Sequence, residues 1–279
     1  MAQHNSIERT SIKRTSIERI SIERISIELT NLCDKGCSFC YNHSQPGGAT
    51  EWTVDEVVDF VRDCAANGTQ AVSFGGGEPL QYEGVFEVLK SLRGLLFRSM
   101  TTNGLRLEQH FDELVDARPE KVHLSVHFPQ NVKEVDRVIG QVHLLAENGI
   151  RSGINLLVAQ SNLEPTIAAA KKIRESGIGN ERIVYLPMRS SDTPTPKQMA
   201  QVAGLEPFQS MTCLSECGKS DRFCSIGWNK MAAWCSYTVS RRPLESLDFA
   251  GLINALDGLG VEFCGGTTER VELKELVTK

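Results

Sequence analysis

Hydrophobic runs and amphipathic stretches alternate along the chain between residues 25 and 205, and this pattern predicts repeated strand–helix units. The predicted strands lie at 25–30, 71–74, 96–101, 121–126, 151–158 and 182–186.

The first predicted helix opens with a capping box from Thr53 to Glu56 and ends at Gly68. Its apolar face includes Cys64, which we therefore expect in the core. Later helices are predicted near 84–94, 108–117, 131–149 and 163–176. Strand–helix alternation predicts an α/β fold with a parallel sheet, and six units fall short of a closed eight-stranded barrel.

The two ends of the chain depart from this pattern. Residues 6–30 repeat a five-residue unit that begins Ser-Ile, a period that fits neither a helix nor a strand. A pentapeptide solenoid of so few copies would be too short to bury a face. We therefore predict a polar tail at 1–24, a main domain at 25–205 and a small cysteine-rich module at 206–279.

Composition and charge narrow the class of protein. The chain has 279 residues, of which 41% are hydrophobic and 23% charged, with a net charge of −5. A negative net charge provides no electrostatic footprint for nucleic acid, so we expect no nucleic-acid partner. The first residues contain no apolar signal segment and no run is long enough to span a membrane, so we expect a cytoplasmic protein without a membrane partner. Nine cysteines in a reducing compartment indicate metal binding rather than disulfides.

Three of these cysteines lie close together immediately after the first predicted strand. Cys33, Cys37 and Cys40 follow a Cys-x-x-x-Cys-x-x-Cys spacing, with Phe39 before the last thiol. Three thiolates are one short of the set that closes an ordinary iron–sulfur cluster or structural zinc site, which leaves a coordination position open for chemistry. Zinc is the alternative, but zinc sites usually pair two Cys-x-x-Cys halves, and the chain has no second one.

A glycine-rich turn, Gly75-Gly-Gly-Glu78-Pro79, follows the second predicted strand. Because parallel strands place their carboxyl ends at one edge, we expect this turn beside the cysteines. The cysteine motif and the Gly-Gly-Glu turn together resemble the radical S-adenosylmethionine (SAM) superfamily. That resemblance implies a partial (β/α)6 TIM-like barrel, a 4Fe–4S cluster on the three cysteines and SAM as cofactor.

The resemblance also implies roles for residues at the strand ends. The expected cofactor-binding residues are Phe39, Gly76, Gly77, Glu78, Pro79, Asn103, Ser125 and Asn155. Asn103 belongs to a Thr-Asn-Gly turn, which is equally typical of an ordinary left-handed turn. The candidate catalytic residues are His127, Tyr185 and Arg189. A hydrogen-bonded structural histidine and a solvated loop arginine are the alternatives for His127 and Arg189.

The C-terminal segment contains Cys213, Cys217, Cys224, Cys235 and Cys264. The stretch from Cys224 to Cys235 resembles the short hairpin of SPASM and Twitch modules, which carry auxiliary iron–sulfur clusters. The Cys-x-x-Cys-x5-Cys-x-x-x-Cys run of a full SPASM module is absent from the sequence. We therefore expect one Twitch-like auxiliary 4Fe–4S cluster, with zinc as the alternative. The spacing leaves open which four thiols bind it, and Cys217, Cys235 and Cys264 are the strongest candidates.

The resemblance implies reductive cleavage of SAM and abstraction of a substrate hydrogen by a 5′-deoxyadenosyl radical. We expect an oxidoreductase that modifies a ribosomal peptide oxidatively, with a flavodoxin or ferredoxin as electron donor and a separate leader-binding protein as a further partner. Dehydrogenation of a small carbohydrate or alcohol is the alternative, and a non-catalytic metal-binding scaffold is a second one. No stretch of the sequence specifies the substrate.

Overall fold

The computed structural model describes residues 21–210 and 220–261. Its strands form one ten-stranded sheet in the order β10-β9-β8-β1-β2-β3-β4-β5-β6-β7. The strands are β1 Arg24–Glu28, β2 Ala71–Gly75, β3 Phe97–Thr102, β4 Lys121–Val126, β5 Ser152–Val158, β6 Ile183–Pro187, β7 Gln209–Ser210, β8 Phe223–Ile226, β9 Met231–Ala233 and β10 Arg242–Pro243. The helices are α1 Val54–Ala66, α2 Val85–Ser91, α3 Phe111–Ala117, α4 Val132–Glu147, α5 Leu163–Glu175, α6 Pro196–Val202 and α7 Phe249–Leu256. None of these described helices is long and apolar enough to cross a membrane.

Strands β1 to β6 are parallel neighbours in chain order, and α1 to α5 connect them. On most of these strands every second side chain is apolar and packs against the helices, as Ile25, Ile27 and Phe74 show on β1 and β2. The other face of the strands is largely polar and lines the interior. The α/β class and the partial barrel predicted from the sequence are confirmed. The capping box at Thr53 and Glu56 and the buried position of Cys64 are also as predicted.

The C-terminal segment extends the same sheet instead of forming a separate one. Strand β8 pairs in parallel with β1, and β9 turns back antiparallel to β8. At the opposite edge β7 pairs in parallel with β6. The Trp52 indole donates to the carbonyl of Gly227 at 3.0 Å and ties the β8–β9 turn to the start of α1. Strands on both sides of the domain boundary predicted between residues 205 and 206 therefore belong to one continuous sheet.

A buried arginine stabilises the amino-terminal side of the sheet. Arg98 on β3 is 1% exposed and forms a two-point ion pair with Glu120, with Nε–Oε2 and Nη2–Oε1 distances of 2.9 and 2.8 Å. Its guanidinium also donates to the carbonyl oxygens of Leu89 and Arg118. One side chain thus provides hydrogen-bond donors for backbone carbonyl oxygens near the end of α2 and in the turn after α3. Carbonyl oxygens at the end of a helix have no partner within the helix itself.

Replacing Arg98 by methionine should lower the free energy of unfolding by about 3 kcal/mol, because it leaves Glu120 and several carbonyls without their donor. Urea denaturation would measure the change. The matched control is Arg62→Met, because the ion pair of Arg62 with Asp59 is exposed on both sides and should contribute less than about 1 kcal/mol. Equal effects of the two substitutions would contradict this assignment.

Candidate functional site

The cysteine loop follows β1 at the carboxyl edge of the sheet. Cys33 is buried, and Cys37 and Cys40 are half-buried. A turn closes the loop, because the amide of Cys40 donates to the carbonyl of Cys37 at 3.1 Å. Burial is the main cause that raises the pKa of Cys37 to about 11, and repulsion from Cys33 and Cys40 adds to it. Cys33 and Cys40 therefore lie close enough to Cys37 to oppose the ionisation of its thiol.

The glycine-rich turn after β2 packs directly against this loop. The amide of Gly77 donates to the carbonyl of Thr30 at 2.6 Å, and that of Glu78 donates to the carbonyl of Leu32 at 2.8 Å. A Cβ on Gly76 would collide with Thr30, and one on Gly77 would collide with Leu32. Gly76 also has a φ of 115°, which favours glycine. The glycines thus allow the close backbone approach that positions the segment leading to Cys33, and their predicted contact with SAM stays a prediction.

The Glu78 side chain links the ends of β2 and β3. Its buried carboxylate accepts hydrogen bonds from the Thr102 hydroxyl at 2.6 Å, the Asn103 amide at 2.8 Å and the Leu80 amide at 3.1 Å. Burial raises the pKa of Glu78 above its ordinary value, and these three donors act against that rise. The Asn103 side chain in turn donates from Nδ2 to the sulfur of Cys33 at 3.6 Å. The carboxylate predicted to contact the cofactor therefore fixes the turn that carries Asn103.

A second strand end contacts the next cysteine. Nδ1 of His127, just after β4, lies 3.6 Å from the sulfur of Cys37. The aromatic ring of Phe39 packs edge-on against His127 and tilts against Phe128, with centroid distances of 6.1 and 5.7 Å. Burial, followed by the nearby charge of Lys35, lowers the pKa of His127 to about 4. A neutral His127 at this position supports the cysteine loop, which is the structural alternative to catalysis.

A buried ion pair that the sequence analysis missed fastens the loop to α4. Lys35 donates to Glu134 at 2.8 Å, and both side chains are 8% exposed. The same carboxylate oxygen accepts the backbone amides of His127 at 2.8 Å and Phe128 at 3.2 Å. Asn131 caps α4 and Glu134 lies in its first turn, so the spacing Asn-x-x-Glu was the available signal.

The barrel interior is polar. Ser225, Ser26, Ser73 and Ser99 occupy one level across β8, β1, β2 and β3. Near the carboxyl edge, Ser125 on β4 is level with Asn155 on β5. The two residues predicted to contact SAM from these strands are therefore neighbours on the interior face.

Glu28 ends β1 on this interior face and is 2% exposed. Burial raises its pKa to about 7, while Arg241 and a hydrogen bond with Tyr41 act in the opposite direction. The ring of Tyr41 packs on the ring of Tyr237 at a centroid distance of 4.7 Å. The guanidinium of Arg189 lies over the same Tyr237 ring, 4.3 Å from its centroid. This stack joins the cysteine loop, the end of β6 and the segment after β9. The predicted residue Arg189 thus lies at the barrel mouth.

Two predicted site residues are placed elsewhere. Tyr185 was predicted to be catalytic, but its hydroxyl donates to Asn180 at 2.6 Å and accepts from Arg174 at 3.0 Å on the helix-facing side of β6. The side chain is fully buried. The prediction was wrong because alternate residues of β6 face opposite sides, and Tyr185 shares its side with Ile183.

The metal-ligand prediction for Cys224 was also wrong. This residue is level with Ile25 of β1 and faces the helices. Burial, followed by the proximity of Cys64, raises the pKa of Cys224 well above its ordinary value. Cys235 follows β9, and its sulfur accepts the amide of Tyr237 at 3.4 Å. The other predicted ligands lie outside the described residues: Cys213, Cys217 and Cys264.

The residues of the cysteine loop form the thiol donor set that an iron–sulfur cluster takes. A bound cluster would add the positive charge that three neighbouring thiolates require. The side chains of Asn103 and His127 also reach two of the three sulfurs, which places polar groups in the second shell of such a cluster.

The raised pKa of Glu28 predicts a pH-dependent stability. The native state holds this proton up to about pH 7, whereas the unfolded chain releases it near 4.5. Relative to Glu28→Gln, the free energy of unfolding of the wild type should therefore fall by an amount on the order of 3 kcal/mol as the pH rises through this interval. Urea titrations across the interval measure it, and titration of His123 and His127 cancels in the difference. Glu83→Gln is the exposed control. Parallel curves of unfolding free energy against pH for wild type and Glu28→Gln would contradict the raised pKa of Glu28.

Curated relatives match part of the chain. A probable GTP 3′,8-cyclase of Methanocella arvoryzae is 37% identical over 98 residues, which cover 35% of this chain and 32% of the relative. A probable GTP 3′,8-cyclase of Methanocaldococcus jannaschii is 24% identical over 175 residues, covering 58% of each chain. The match thus spans about a third of the length of the first relative.

Solved structures share the fold. Streptococcus suis SuiB bound to its precursor peptide SuiA superposes with a TM-score of 0.63 at 16% identity, covering 77% of this chain and 60% of that one. Native anSMEcpe with bound AdoMet gives 0.59 at 16% identity, covering 83% and 80%. The sequence profile of the radical SAM superfamily matches residues 27–193. Since this match spans more than half of the chain and includes the cysteine loop and the Gly-Gly-Glu turn, the protein belongs to the radical SAM superfamily.

Proposed function

We propose that this protein uses a cluster on Cys33, Cys37 and Cys40 to cleave SAM and to abstract a hydrogen from a peptide substrate, which it then modifies oxidatively. The observation that carries the proposal is the convergence of the cysteine loop with the polar side chains of Asn103 and His127 at the barrel mouth. When bound there, a 4Fe–4S cluster with SAM supplies the electron and the 5′-deoxyadenosyl radical.

The chain's own residues hold and shield this chemistry. The ion pair of Lys35 with Glu134 fixes the middle of the cysteine loop against α4. Phe39 packs on the aromatic ring of Phe128 and covers the loop from the side of β4. Ser125 and Asn155 provide neighbouring polar groups on the interior face for the cofactor. A rigid, partly covered site of this kind positions a substrate C–H group and excludes water.

Two observations bear on the substrate. Structures with this fold hold a precursor peptide in SuiB and a Cys-containing peptide in anSMEcpe, which supports a peptide. The names of the curated relatives favour a second candidate, cyclisation of a guanosine nucleotide. The buried carboxyl of Glu28 inside the barrel offers no positive charge that would pair with a triphosphate. The peptide therefore remains the first choice.

The test of SAM chemistry is release of 5′-deoxyadenosine by the anaerobically reconstituted protein under a strong reductant. We expect wild type to release it and Cys33→Ala to fall to background, because the variant lacks one cluster ligand. Cys64→Ala is the matched control, since Cys64 is a core thiol of α1. Release that is absent from wild type would favour the scaffold alternative, whereas release that is equal in Cys33→Ala would contradict the assignment of the cluster to this loop. Adding a ribosomal precursor peptide, GTP or a carbohydrate in separate arms then shows which substrate class accelerates release.

The oxidative part of the proposal needs an auxiliary cluster. With Cys224 in the core, the C-terminal thiols left by the sequence number four, which one cluster requires. They are Cys213, Cys217, Cys235 and Cys264.

Iron content after reconstitution tests this set in a background where Cys33, Cys37 and Cys40 are all alanine. We expect about four irons per chain to remain. Adding Cys235→Ala should lower that content, whereas adding Cys224→Ala should not, because the Cys224 thiol faces the helices. Near-zero iron with bound zinc in the triple variant would instead make the C-terminal thiols a structural zinc site and point to redox-neutral chemistry.

A further inference from the structure

Glu28 carries a buried oxygen that the described part of the chain leaves without a hydrogen bond. Its Oε1 atom accepts none, although the residue is 2% exposed. The side chain belongs to the interior face of β1, level with Gly75 on β2. A Cβ added to Gly75 would meet no atom within 4 Å, so there is open space beside the carboxyl group. An acceptor without a donor is costly when buried.

Other interior atoms share this property. The hydroxyl of Ser225 on β8 and Nε2 of His123 on β4 are also buried without a hydrogen-bond partner among the described residues. Ser225 is level with Ser26, one interior position below Glu28 on the neighbouring strand. Buried polar groups in native proteins are nearly always satisfied by protein, water or ligand. All three atoms belong to interior-facing residues, and a polar ligand or water inside the barrel would satisfy them.

Glu28 adjoins the Gly-Gly-Glu turn but lies on a different strand from two other residues expected to contact SAM. Ser125 and Asn155 lie on β4 and β5, whereas Glu28 and Ser225 lie on β1 and β8. Glu28 is also linked to the cysteine loop, because its carboxylate bonds with Tyr41, the residue after Cys40. A group bound at Glu28 would therefore lie in the barrel beside the cysteine loop and the Gly-Gly-Glu turn, across from Ser125 and Asn155.

We propose that Glu28 is the acceptor that anchors the substrate through a hydrogen-bond donor: an ammonium, a hydroxyl or an amide N–H. This inference rests on the proposed function, and it adds a substrate-positioning residue on β1. The raised pKa of Glu28 supports it, because burial outweighs the effect of Arg241 and no cation fully pairs with the carboxylate among the described residues. A donor brought by the substrate satisfies Oε1 and offsets the cost of burial.

The test is a binding selection with the reconstituted, SAM-loaded full chain. The immobilised protein is offered a random peptide library in a display format, and the recovered peptides are sequenced. Wild type is compared with Glu28→Met, which has a side chain of similar length but no acceptor oxygen, and with Glu83→Gln, an exposed control. Thermal unfolding and 5′-deoxyadenosine release without peptide are measured for all three proteins, so that a folding or SAM-cleavage defect is recognised.

We expect wild type and Glu83→Gln to enrich the same peptides, and Glu28→Met to lose that enrichment by about tenfold or more. Enrichment of lysine and arginine would identify an ammonium or guanidinium donor, whereas serine, threonine, asparagine or glutamine would identify a neutral one. Unchanged enrichment by Glu28→Met would overturn the inference and leave water as the partner of Oε1.

Two further results would also overturn it. If wild type cleaves SAM but enriches no peptide, the proposed anchoring of a peptide fails while the SAM chemistry stands. If Glu28→Met loses SAM cleavage without peptide present, Glu28 acts on the cofactor side instead. Absence of 5′-deoxyadenosine from wild type is a separate failure, because it removes the proposed function itself.

Discussion

The buried carboxylate of Glu78 is the interaction on which the site depends. It receives three hydrogen bonds, from the Thr102 hydroxyl and from the backbone amides of Asn103 and Leu80. A buried carboxylate without such donors would be strongly unfavourable, so the turn after β3 is held in one conformation relative to the end of β2. That conformation brings the Asn103 side chain to the sulfur of Cys33. One carboxylate therefore determines the relative position of two strand ends and, through Asn103, the environment of the first cysteine.

A second buried carboxylate, Glu134, has the same effect on the other side of the loop. It binds Lys35 and two backbone amides at the end of β4, next to the contact between His127 and Cys37. Glu28 differs from both, because burial raises its pKa to about 7 and one of its oxygens has no donor in the described chain. Satisfied carboxylates thus fix the loop, while the unsatisfied one faces the interior where a ligand has room.

The strands from β1 to β6 were predictable because each combines a short apolar run with a helical stretch after it. The same local signals placed the cysteines, the Gly-Gly-Glu turn and the Thr-Asn-Gly turn at strand ends. Local pattern was less informative in the C-terminal segment, where β8 has only four residues and its pairing with β1 joins positions far apart in the chain. Tyr185 was misassigned for a related reason, since one step along a strand changes the face that a side chain occupies.

The sequence by itself determined the superfamily, the α/β class and the three thiols of the candidate cluster, because these depend on spacing and on residue type. The tertiary structure decided which polar side chains meet. It placed Cys224 against the helices. It brought Lys35 into contact with Glu134, which lies 99 positions away in the sequence. It also left open space beside Gly75, the neighbour of Glu28 on β2. Such contacts depend on the register between parallel strands and on the path of each crossover. Those features are fixed by packing of the whole sheet, and no short segment of the chain encodes them.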